Sequence, residues 1–494
     1  MTCIGRPSLS SGRGAELVEA EMGDNDAQAP LSRLTATAAP GRPLLPYGQF
    51  TLPPLKGEVA ASIASRRKGV ICIYERRSLK MSLQERLTER FLRYAAVPSQ
   101  SKEGCAVVPS TPGQWDMAKL LKEDLAELGL VDLEISEFCV LTGRLPANLP
   151  AGHAPVPNVG WVAHMDTVDV NLSPEVHPQI VKNYQGGDVL LNAEKQIYIK
   201  VSEHPELNKY IGSDLITSDG TSVLGADNKA AVANLMVALE TIIKENRPHG
   251  EIYVAFVPDE EVGLCGSKKM DFSKFPVEFA YTIDCCELGE VVYQTFNAGS
   301  AHIKIKGVTA HPMSAKNTLV NPALVAVDII NCFDRMQTPE HTEGTEGFIW
   351  VQAIKSNAAE ATLDIKIRDH NKKMYEARKE FIRHAVEYVQ AKNPKAGIEL
   401  NITDVYGNIA DALNDDNRKC VEYIFEAMKE LDIEPKDIAM RGGTDGSFIS
   451  TKGIPTPNYF TGALNFHSNC EFMPMAAVEK SCLMTLKLVE LITK

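Results

Sequence analysis

The chain has 494 residues, of which 44% are hydrophobic and 23% are charged. These values are typical of a soluble globular protein with two or three domains and a sizeable core. The net charge of −13 argues against a general binder of nucleic acid or membrane surfaces, and the sequence lacks the apolar run of about 18 residues that a transmembrane helix requires.

Residues 1–80 differ in composition from the rest of the chain. They are rich in Gly, Pro, Ser, Ala and Arg and show no sustained periodicity, which predicts a disordered N-terminal extension. Their acidic residues argue against a transit peptide, and the apolar piece at 69–74 is too short for a signal sequence. The alternative is that the extension is not translated and that the protein starts at Met81.

The pattern from Met81 onward predicts an α/β fold. Amphipathic helical spacing begins at Met81 and again at Trp115, and a longer apolar helix is predicted over 230–244. Three short apolar strands, each followed or ended by an acid or a histidine, are predicted at 158–163, 251–257 and 279–283. Functional side chains gather at the carboxyl ends of strands in such folds.

A different pattern begins near Gln294. Residues 301–306 and 361–368 alternate apolar and polar side chains, as half-exposed strands do. Helices are predicted over 321–336 and 372–392. These elements indicate a small α+β insertion at about 296–408, after which helices over 417–431 and 474–494 return to the first pattern.

The segment Leu215–Glu240 places Asp227 in a Gly-Ala-Asp-Asn-Lys turn before a helix. Helix N-termini favour negative charge. Asp227 is therefore either an ordinary N-cap residue or a rigidly held functional carboxylate, and this segment alone does not separate the two.

A metal centre is indicated by residues at the ends of predicted strands or in the loops after them. Two histidines and three carboxylates suit zinc first, with manganese or cobalt as alternatives. Because one catalytic zinc usually takes three protein ligands, five ligands fit two metal ions that share a bridging carboxylate, about 3.5–4 Å apart. The five residues are His164, Asp227, Glu261, Asp284 and His467.

Two neighbouring acids complete the predicted chemistry. Asp166 follows His164 by two residues, so it points the same way from the strand end and is predicted to orient the imidazole. Glu260 precedes Glu261. One of this pair is predicted to bind metal while the other transfers protons as general base and then general acid.

The eleven cysteines form no CxxC pair. We therefore expect free thiols in a reducing compartment, a cytoplasmic location and no cysteine-based zinc site.

The combination resembles the di-zinc metallopeptidases of the aminopeptidase/carboxypeptidase-G type, and within them the tripeptide aminopeptidases of the peptidase T type. The resemblance covers about residues 81–494. It is carried by eight motifs in family order: HMDT at 164–167, ITSDGTSVLGADNKA at 216–230, FVPDEEVG at 256–263, YTID at 281–284, GVTAHPMSAKNTLVNP at 307–322, TEGTEGF at 342–348, RGGTDGS at 441–447 and NYFTGALNFHSNCEF at 458–472.

This resemblance implies a three-layer di-zinc exopeptidase domain, a mixed sheet flanked by helices, in two parts (81–295 and 409–494) with an inserted α+β lid domain (296–408). It implies that His164 and Asp284 hold one zinc, that Glu261 and His467 hold the other, and that Asp227 bridges them.

The same resemblance implies the remaining roles. Glu260 is the general base and Asp166 the orienting acid. His311 on the lid donates to the substrate carbonyl. Arg441 binds substrate, where a planar guanidinium suits the peptide's terminal carboxylate.

Two departures from the family pattern stand close to these residues. Asn228 and Ala231 replace the Asp and Gly of the usual GADDKAG block, which lowers the local negative charge without touching Asp227. Cys285 and Cys286 replace small residues and are expected to pack as small hydrophobes.

The implied function is the release of the N-terminal residue from short peptides with a free N-terminus, chiefly tripeptides. Neither nucleic acid nor a membrane is an expected partner, and a homodimer is common among relatives. Alternatives on the same fold are a dipeptidase, a carboxypeptidase and an N-acyl-amino-acid deacylase. A non-catalytic peptide- or metal-binding protein is the remaining alternative, and the retention of every ligand and of Glu260 disfavours it.

Overall fold

The structure is a computed structural model that describes residues 81–494. The predicted disordered extension, residues 1–80, lies outside the described residues. Among the described helices, we find none that is both long enough and apolar enough to cross a membrane.

The described residues form strands and helices in alternation, as the sequence predicts. The strands are β1 (Val131–Ile135), β2 (Leu141–Leu145), β3 (Val159–His164), β4 (Gln179–Val181), β5 (Val189–Asn192), β6 (Ile197–Ile199), β7 (Leu215–Thr217), β8 (Ile252–Val257), β9 (Phe279–Cys285), β10 (Glu290–Gln294), β11 (Asn297–Lys306), β12 (Phe348–Ser356), β13 (Glu360–Asp369), β14 (Gly397–Tyr406), β15 (Lys436–Ala439), β16 (Asn458–Phe460) and β17 (Phe472–Pro474). The α-helices are α1 (Leu83–Ala95), α2 (Gly113–Leu128), α3 (Ala226–Lys244), α4 (Pro322–Ile330), α5 (Lys372–Lys392), α6 (Lys419–Glu430), α7 (Asp445–Ser450) and α8 (Met475–Thr493).

An eight-stranded mixed sheet organises the larger part of the described chain. Its strand order is β1-β2-β8-β3-β9-β16-β10-β15. The four central strands β8, β3, β9 and β16 run parallel, whereas β2 pairs antiparallel with β8 and β10 pairs antiparallel with β16. Because the central strands are parallel, their carboxyl ends meet at one edge, where the predicted site residues lie.

Side chains alternate between the two faces of this sheet. On β3, Trp161 and Ala163 belong to the main apolar cluster, and Val162 belongs to a second cluster on the other face. Helix α3 is buried along almost its whole length and contacts α1, α8, β3 and β9. The mixed sheet with helices packed on it confirms the predicted fold class.

Local sequence explains where several helices begin and end. Helix α1 starts at a capping box in which the Ser82 side chain accepts from the amide of Glu85 and the Glu85 side chain accepts from the amide of Ser82. Helix α2 ends at Gly129, whose φ of +89° is in the left-handed region that glycine favours.

The inserted lid domain is built on a separate four-stranded antiparallel sheet. Its order is β12-β13-β11-β14, and α4 and α5 cover one face. The apolar residues of the covered face form their own cluster, which includes Ile303, Leu363 and Ile382. The other face is half-exposed, as the alternating pattern predicts.

The helix predicted over 321–336 is wrong in its second half, because α4 ends at Ile330. After Ile330, the amides of Cys332 and Phe333 donate to the carbonyls of Ile329 and Ile330, three residues back along the chain. This spacing is that of a 3-10 turn, which is tighter than an α-helix. The Asp334 side chain then accepts from the amide of Met336. A side chain that satisfies a nearby amide competes with helix continuation.

Candidate active site

Three adjacent strands of the large sheet bring the predicted ligands together. His164 is the last residue of β3, Asp284 is the second-last residue of β9, and Glu261 lies in the loop after β8. Because β8 and β9 both pair with β3 in parallel, these side chains meet at one edge of the sheet. The sequence predicted this convergence from the apolar strands alone.

Asp227 comes from outside the sheet, in the first turn of α3. Asp227 (φ −80°, ψ 99°) and Asn228 have non-helical backbone angles, so the regular part of α3 begins only after them. Both carboxylate oxygens of Asp227 face histidines instead of capping the helix. The interpretation of Asp227 as a functional carboxylate is therefore the one that fits its side chain, which is 10% exposed.

The two carboxylate oxygens of Asp227 face different histidines. Oδ1 lies 3.0 Å from His164 Nε2, and Oδ2 lies 3.1 Å from His467 Nε2. His164 Nε2 is also 3.8 Å from Asp284 Oδ1, and His467 Nε2 is 3.0 Å from Glu261 Oε1. The five residues thus form two sets of three that share Asp227.

The chemistry of this donor set fits metal ions. His164 Nδ1–H donates to the main-chain oxygen of Asp166 (3.0 Å), because a carbonyl oxygen only accepts. In a neutral ring the Nε2 lone pair then faces the carboxylates. Glu261 Oε1 is buried without a hydrogen bond despite its short distance to His467. His164, Asp227 and Glu261 bring their ligand atoms within 4.8 Å of one another, as a metal site requires.

Asp166 has a wider role than the sequence predicted. Its carboxylate is fully buried and accepts hydrogen bonds from the amides of Glu260 (3.0 Å, to Oδ1) and Glu261 (3.2 Å, to Oδ2). The ring of His164 is 3.4 Å from Oδ1. Asp166 therefore fixes the loop after β8 in addition to lying beside the imidazole that it was predicted to orient.

The electrostatics of the site reflect crowding of buried carboxylates. Burial raises the pKa of Glu260 well above the ordinary carboxyl range, and nearby Asp284 adds to the rise. Burial likewise raises the pKa of Glu261 to about 7, with the charge of Asp227 contributing. A hydrogen bond to Asp227 and the nearby negative charge of Glu261 raise the pKa of His467 to about 10. Burial and neighbouring carboxylates thus both disfavour the charged forms of Glu260 and Glu261, and bound cations relieve this cost.

Comparison with known proteins decides the family. The sequence model of peptidase family M20/M25/M40 matches residues 225–491. The chain is 53% identical over 407 residues to a peptidase T-like protein of Yersinia pestis, covering 82% of this chain and 98% of that protein. The chain belongs to peptidase family M20/M25/M40. This M20 peptidase is accordingly a hydrolase.

Further relatives place the M20 peptidase near peptidase T. It is 42% identical over 407 residues to peptidase T of Fusobacterium nucleatum, covering 82% of this chain and 97% of that protein. The crystal structure of aminopeptidase PepT from Bacillus cereus superposes with a TM-score of 0.65 at 22% identity, covering 83% of this chain and 99% of that chain. This structural likeness bears on the fold, including its inserted lid domain.

Three buried charged residues of the M20 peptidase were not singled out from the sequence. Glu471 accepts from the amides of Gly225 and Asp227. Asp445 lies in the RGGTDGS motif, and burial raises its pKa to about 6. Lys229 donates to the carbonyl of Val97 (2.7 Å), and burial lowers its pKa to about 7. All three lie inside quoted motifs, which was the available signal.

His311 is not brought to the ligand cluster in this structure. It is exposed on the lid, at the start of a short 3-10 turn, and its Nδ1 accepts from the amide of Met313 (3.2 Å). Its contact with the substrate carbonyl therefore stays a prediction.

Arg441 of the M20 peptidase donates hydrogen bonds to the lid loop at residues 342–346. Its guanidinium donates to Thr342 Oγ1 (2.7 Å) and to the carbonyl oxygens of Gly344 (3.0 Å) and Glu346 (2.9 Å). It also lies over the ring of Phe296, 5.2 Å from its centroid. Among the described residues, two of its five N–H donors lack a hydrogen bond, and these remain for the predicted carboxylate contact.

The departures from the family pattern are all in close-packed surroundings. Ala231 and Cys285 are buried, as expected for small apolar side chains, and Cys286 is half-buried. Asn228 is 1% exposed, and its Oδ1 has no hydrogen-bond partner among the described residues.

Proposed function

We propose that this M20 peptidase is a di-zinc aminopeptidase that releases the N-terminal residue of short peptides, chiefly tripeptides, in the cytoplasm. The observation that carries the proposal is the sharing of Asp227 between two histidines, one at each carboxylate oxygen. A bridging carboxylate between two sets of ligands supports two metal ions rather than one.

The residues present fit two zinc ions, with manganese or cobalt as substitutes. His164 and Asp284 would hold one ion, His467 and Glu261 the other, and Asp227 both. The bound ions supply Lewis acidity to the scissile carbonyl and to the attacking water. Both histidines offer Nε2, and Glu261 Oε1, which is buried without a hydrogen bond, would gain a partner in the ion.

Glu260 is the residue proposed to move the proton. Its carboxylate takes a proton from water as the water oxygen attacks the scissile carbonyl carbon. It then delivers this proton to the amine nitrogen as the C–N bond breaks. Burial raises the pKa of Glu260 above the ordinary carboxyl range, which makes its carboxylate a stronger base for the water proton.

The lid is proposed to complete the site on closure. His311 would then donate to the carbonyl oxygen as negative charge develops there. The free donors of Arg441 would bind the terminal carboxylate of the peptide. Because His311 is exposed here, lid motion is expected to gate turnover.

The proposed preference for a free N-terminus follows from charge. Carboxylates crowd the site, so a substrate ammonium group is favoured there. The preference for tripeptides rests on the motif resemblance and on the relationship to peptidase T. Identity is 53% to the peptidase T-like relative and 42% to peptidase T of Fusobacterium nucleatum, so the test below varies peptide length.

A substrate panel on the zinc-loaded full chain tests the proposal. We expect rapid release of the N-terminal residue from a free-amine tripeptide and slow or no cleavage of its N-acetylated, matched control. Preferred cleavage of a dipeptide would indicate a dipeptidase instead of a tripeptidase. Preferred cleavage of an N-acyl amino acid would indicate a deacylase, and cleavage of the C-terminal peptide bond would indicate a carboxypeptidase. Binding of two zinc ions without hydrolysis of any of these substrates would contradict the proposed activity, but the assignment of the metal site would stand.

A further inference from the structure

Glu471 links two parts of the site that are distant in sequence. It lies four residues after His467 and is 1% exposed. Its Oε1 accepts from the amide of Asp227 (3.0 Å) and its Oε2 accepts from the amide of Gly225 (2.8 Å). Both amides stand at the start of α3, where N–H groups have no partner within the helix. Both oxygens of one carboxylate therefore hold the backbone that carries Asp227.

His467 depends on its loop for its position. The loop closes where Leu464 and Phe472 exchange main-chain hydrogen bonds of 2.9 and 3.1 Å, with His467 between them at φ of +60°. The His467 side chain is 48% exposed, whereas that of His164, at the end of β3, is 1% exposed. Packing fixes His164, but it does not fix His467.

Glu471 stands beside the closing pair of this loop. Its carboxylate joins the base of the His467 loop to the main chain of Asp227, whose Oδ2 is 3.1 Å from His467 Nε2. Glu471 therefore links the backbone of Asp227 to the loop that carries His467, and this link constrains the distance between the two ligands. Asp166 makes the equivalent connection for Glu260 and Glu261 by accepting from their amides.

We propose that Glu471 is a positioning residue that sets the affinity of the metal subsite formed by His467, Glu261 and Asp227. The subsite of His164 and Asp284 is less dependent on it, because two packed strands of the sheet hold those ligands. The inference rests on the metal centre of the proposed function but not on the tripeptide substrate.

The test compares two buried carboxylates in the full chain. Glu471→Gln keeps the side-chain length but replaces one acceptor oxygen with an NH2 group that cannot accept from an amide. The matched control is Asp124→Asn. Asp124 is 1% exposed and accepts from Arg90 (2.8 Å) and Tyr94 (2.7 Å), so its loss also leaves buried donors unpaired, but between α1 and α2.

The readout is metal binding rather than activity. Each protein is stripped of metal, and its Zn²⁺ affinities are measured by competition with a chromophoric chelator. Co²⁺ absorption then reports the geometry of each subsite. We expect Glu471→Gln to weaken the Zn²⁺ site that is lost in His467→Ala by about 10–100-fold, the range typical for partners of metal ligands. The control is expected to leave both affinities unchanged.

Three results would overturn the inference. They are unchanged Zn²⁺ affinities in Glu471→Gln, an equal loss at both subsites, or an equal loss in the Asp124→Asn control. If Glu471→Gln fails to fold by circular dichroism, Glu471→Asp, which keeps the charge but shortens the reach, is measured against the same criteria. A wild-type protein that binds two zinc ions but cleaves no tripeptide would contradict the proposed function alone.

Discussion

At the scale of single residues, the arrangement around Asp227 requires positive charge. Although burial opposes it, hydrogen bonds with His164 and His467 lower the pKa of Asp227 below the ordinary carboxyl range. Burial and the charge of Asp227 raise the pKa of neighbouring Asp284. Carboxylates this close cannot all be ionised without cations between them. The proposed metal ions therefore decide which of these groups are charged in the working enzyme.

The first prediction concerns Glu260. Glu260→Gln removes the group that accepts and returns the proton but keeps the size of the side chain. We expect kcat on a tripeptide to fall by about 10²–10⁴-fold, the usual contribution of a general base. Steady-state kinetics and metal analysis on the same sample measure the two effects, and zinc content should stay near two per chain.

The control for this prediction is Glu137→Gln, an exposed glutamate after β1. It is expected to change neither activity nor zinc content. Loss of about half the zinc in Glu260→Gln would mean that Glu260 is a ligand and that the roles assigned to Glu260 and Glu261 must be exchanged.

At the scale of elements, the lid joins the large sheet through two chain crossings. One runs from the end of β10 to the start of β11, and the other follows β14. Asn408, on the second crossing, accepts from the amide of Thr295 on the first (2.9 Å) and donates to the carbonyl of His370 (2.9 Å). Asn297 donates to the same carbonyl (3.3 Å). These buried amides tie the two crossings to each other.

The second prediction tests this connection. Asn408→Ala leaves the Thr295 amide without its side-chain acceptor and the His370 carbonyl with one donor fewer, in surroundings where Asn408 is only 6% exposed. We expect the free energy of unfolding to fall by about 1–3 kcal/mol, the range for a buried group left unpaired. Urea denaturation of the full chain measures it.

Asn401→Ala is the matched control for Asn408→Ala. Asn401 is exposed on β14, so its replacement is expected to change stability by less than about 0.5 kcal/mol. Equal losses of unfolding free energy in the two variants would show that the hydrogen bonds of Asn408 do not stabilise the connection between the lid and the large sheet.

At the scale of the whole molecule, the described fold concentrates acidic side chains at one edge of the large sheet. Asp445 and Glu471, which flank the predicted ligands, have pKa values raised by burial to about 6 and about 8. Lys229 beside them has a pKa lowered to about 7 by burial. Uncompensated buried charge destabilises a fold, so the stability of the whole domain is expected to depend on bound metal.

The third prediction is that metal removal lowers stability as well as activity. A ligand that binds only the folded state stabilises it by about 2.7 kcal/mol per site at a free concentration 100-fold above its Kd. We expect chelation of the full chain to lower Tm and abolish hydrolysis, and Zn²⁺ to restore both.

Mg²⁺ at the same concentration serves as the control for chelation, because it prefers octahedral oxygen sites to histidine nitrogen. It is expected to restore neither Tm nor activity. Tm that does not change on chelation, with metal loss verified by metal analysis, would contradict the assignment of the acidic cluster to bound cations.

Sequence by itself determined the elements with strong local patterns. The strands β3, β8 and β9 follow from short continuous apolar runs, because both of their faces are buried. The helix over Lys372–Lys392 follows from helical spacing, because it buries one face. It also identified the five ligand candidates, because histidines and carboxylates recur at the ends of predicted strands or in the loops after them. Their joint roles came from the resemblance to known motifs, and those assignments remain predictions.

Only the tertiary structure decided features that depend on contacts distant in sequence. Strand β14 (Gly397–Tyr406) and strand β12 (Phe348–Ser356) lie at the edges of the lid sheet, where exposed polar residues weaken the local pattern. Glu471 looked unremarkable because its partner amides lie 244 and 246 residues away. Periodicity reports which face of an element is buried, but hydrogen bonds between loops are fixed only when the whole chain has folded.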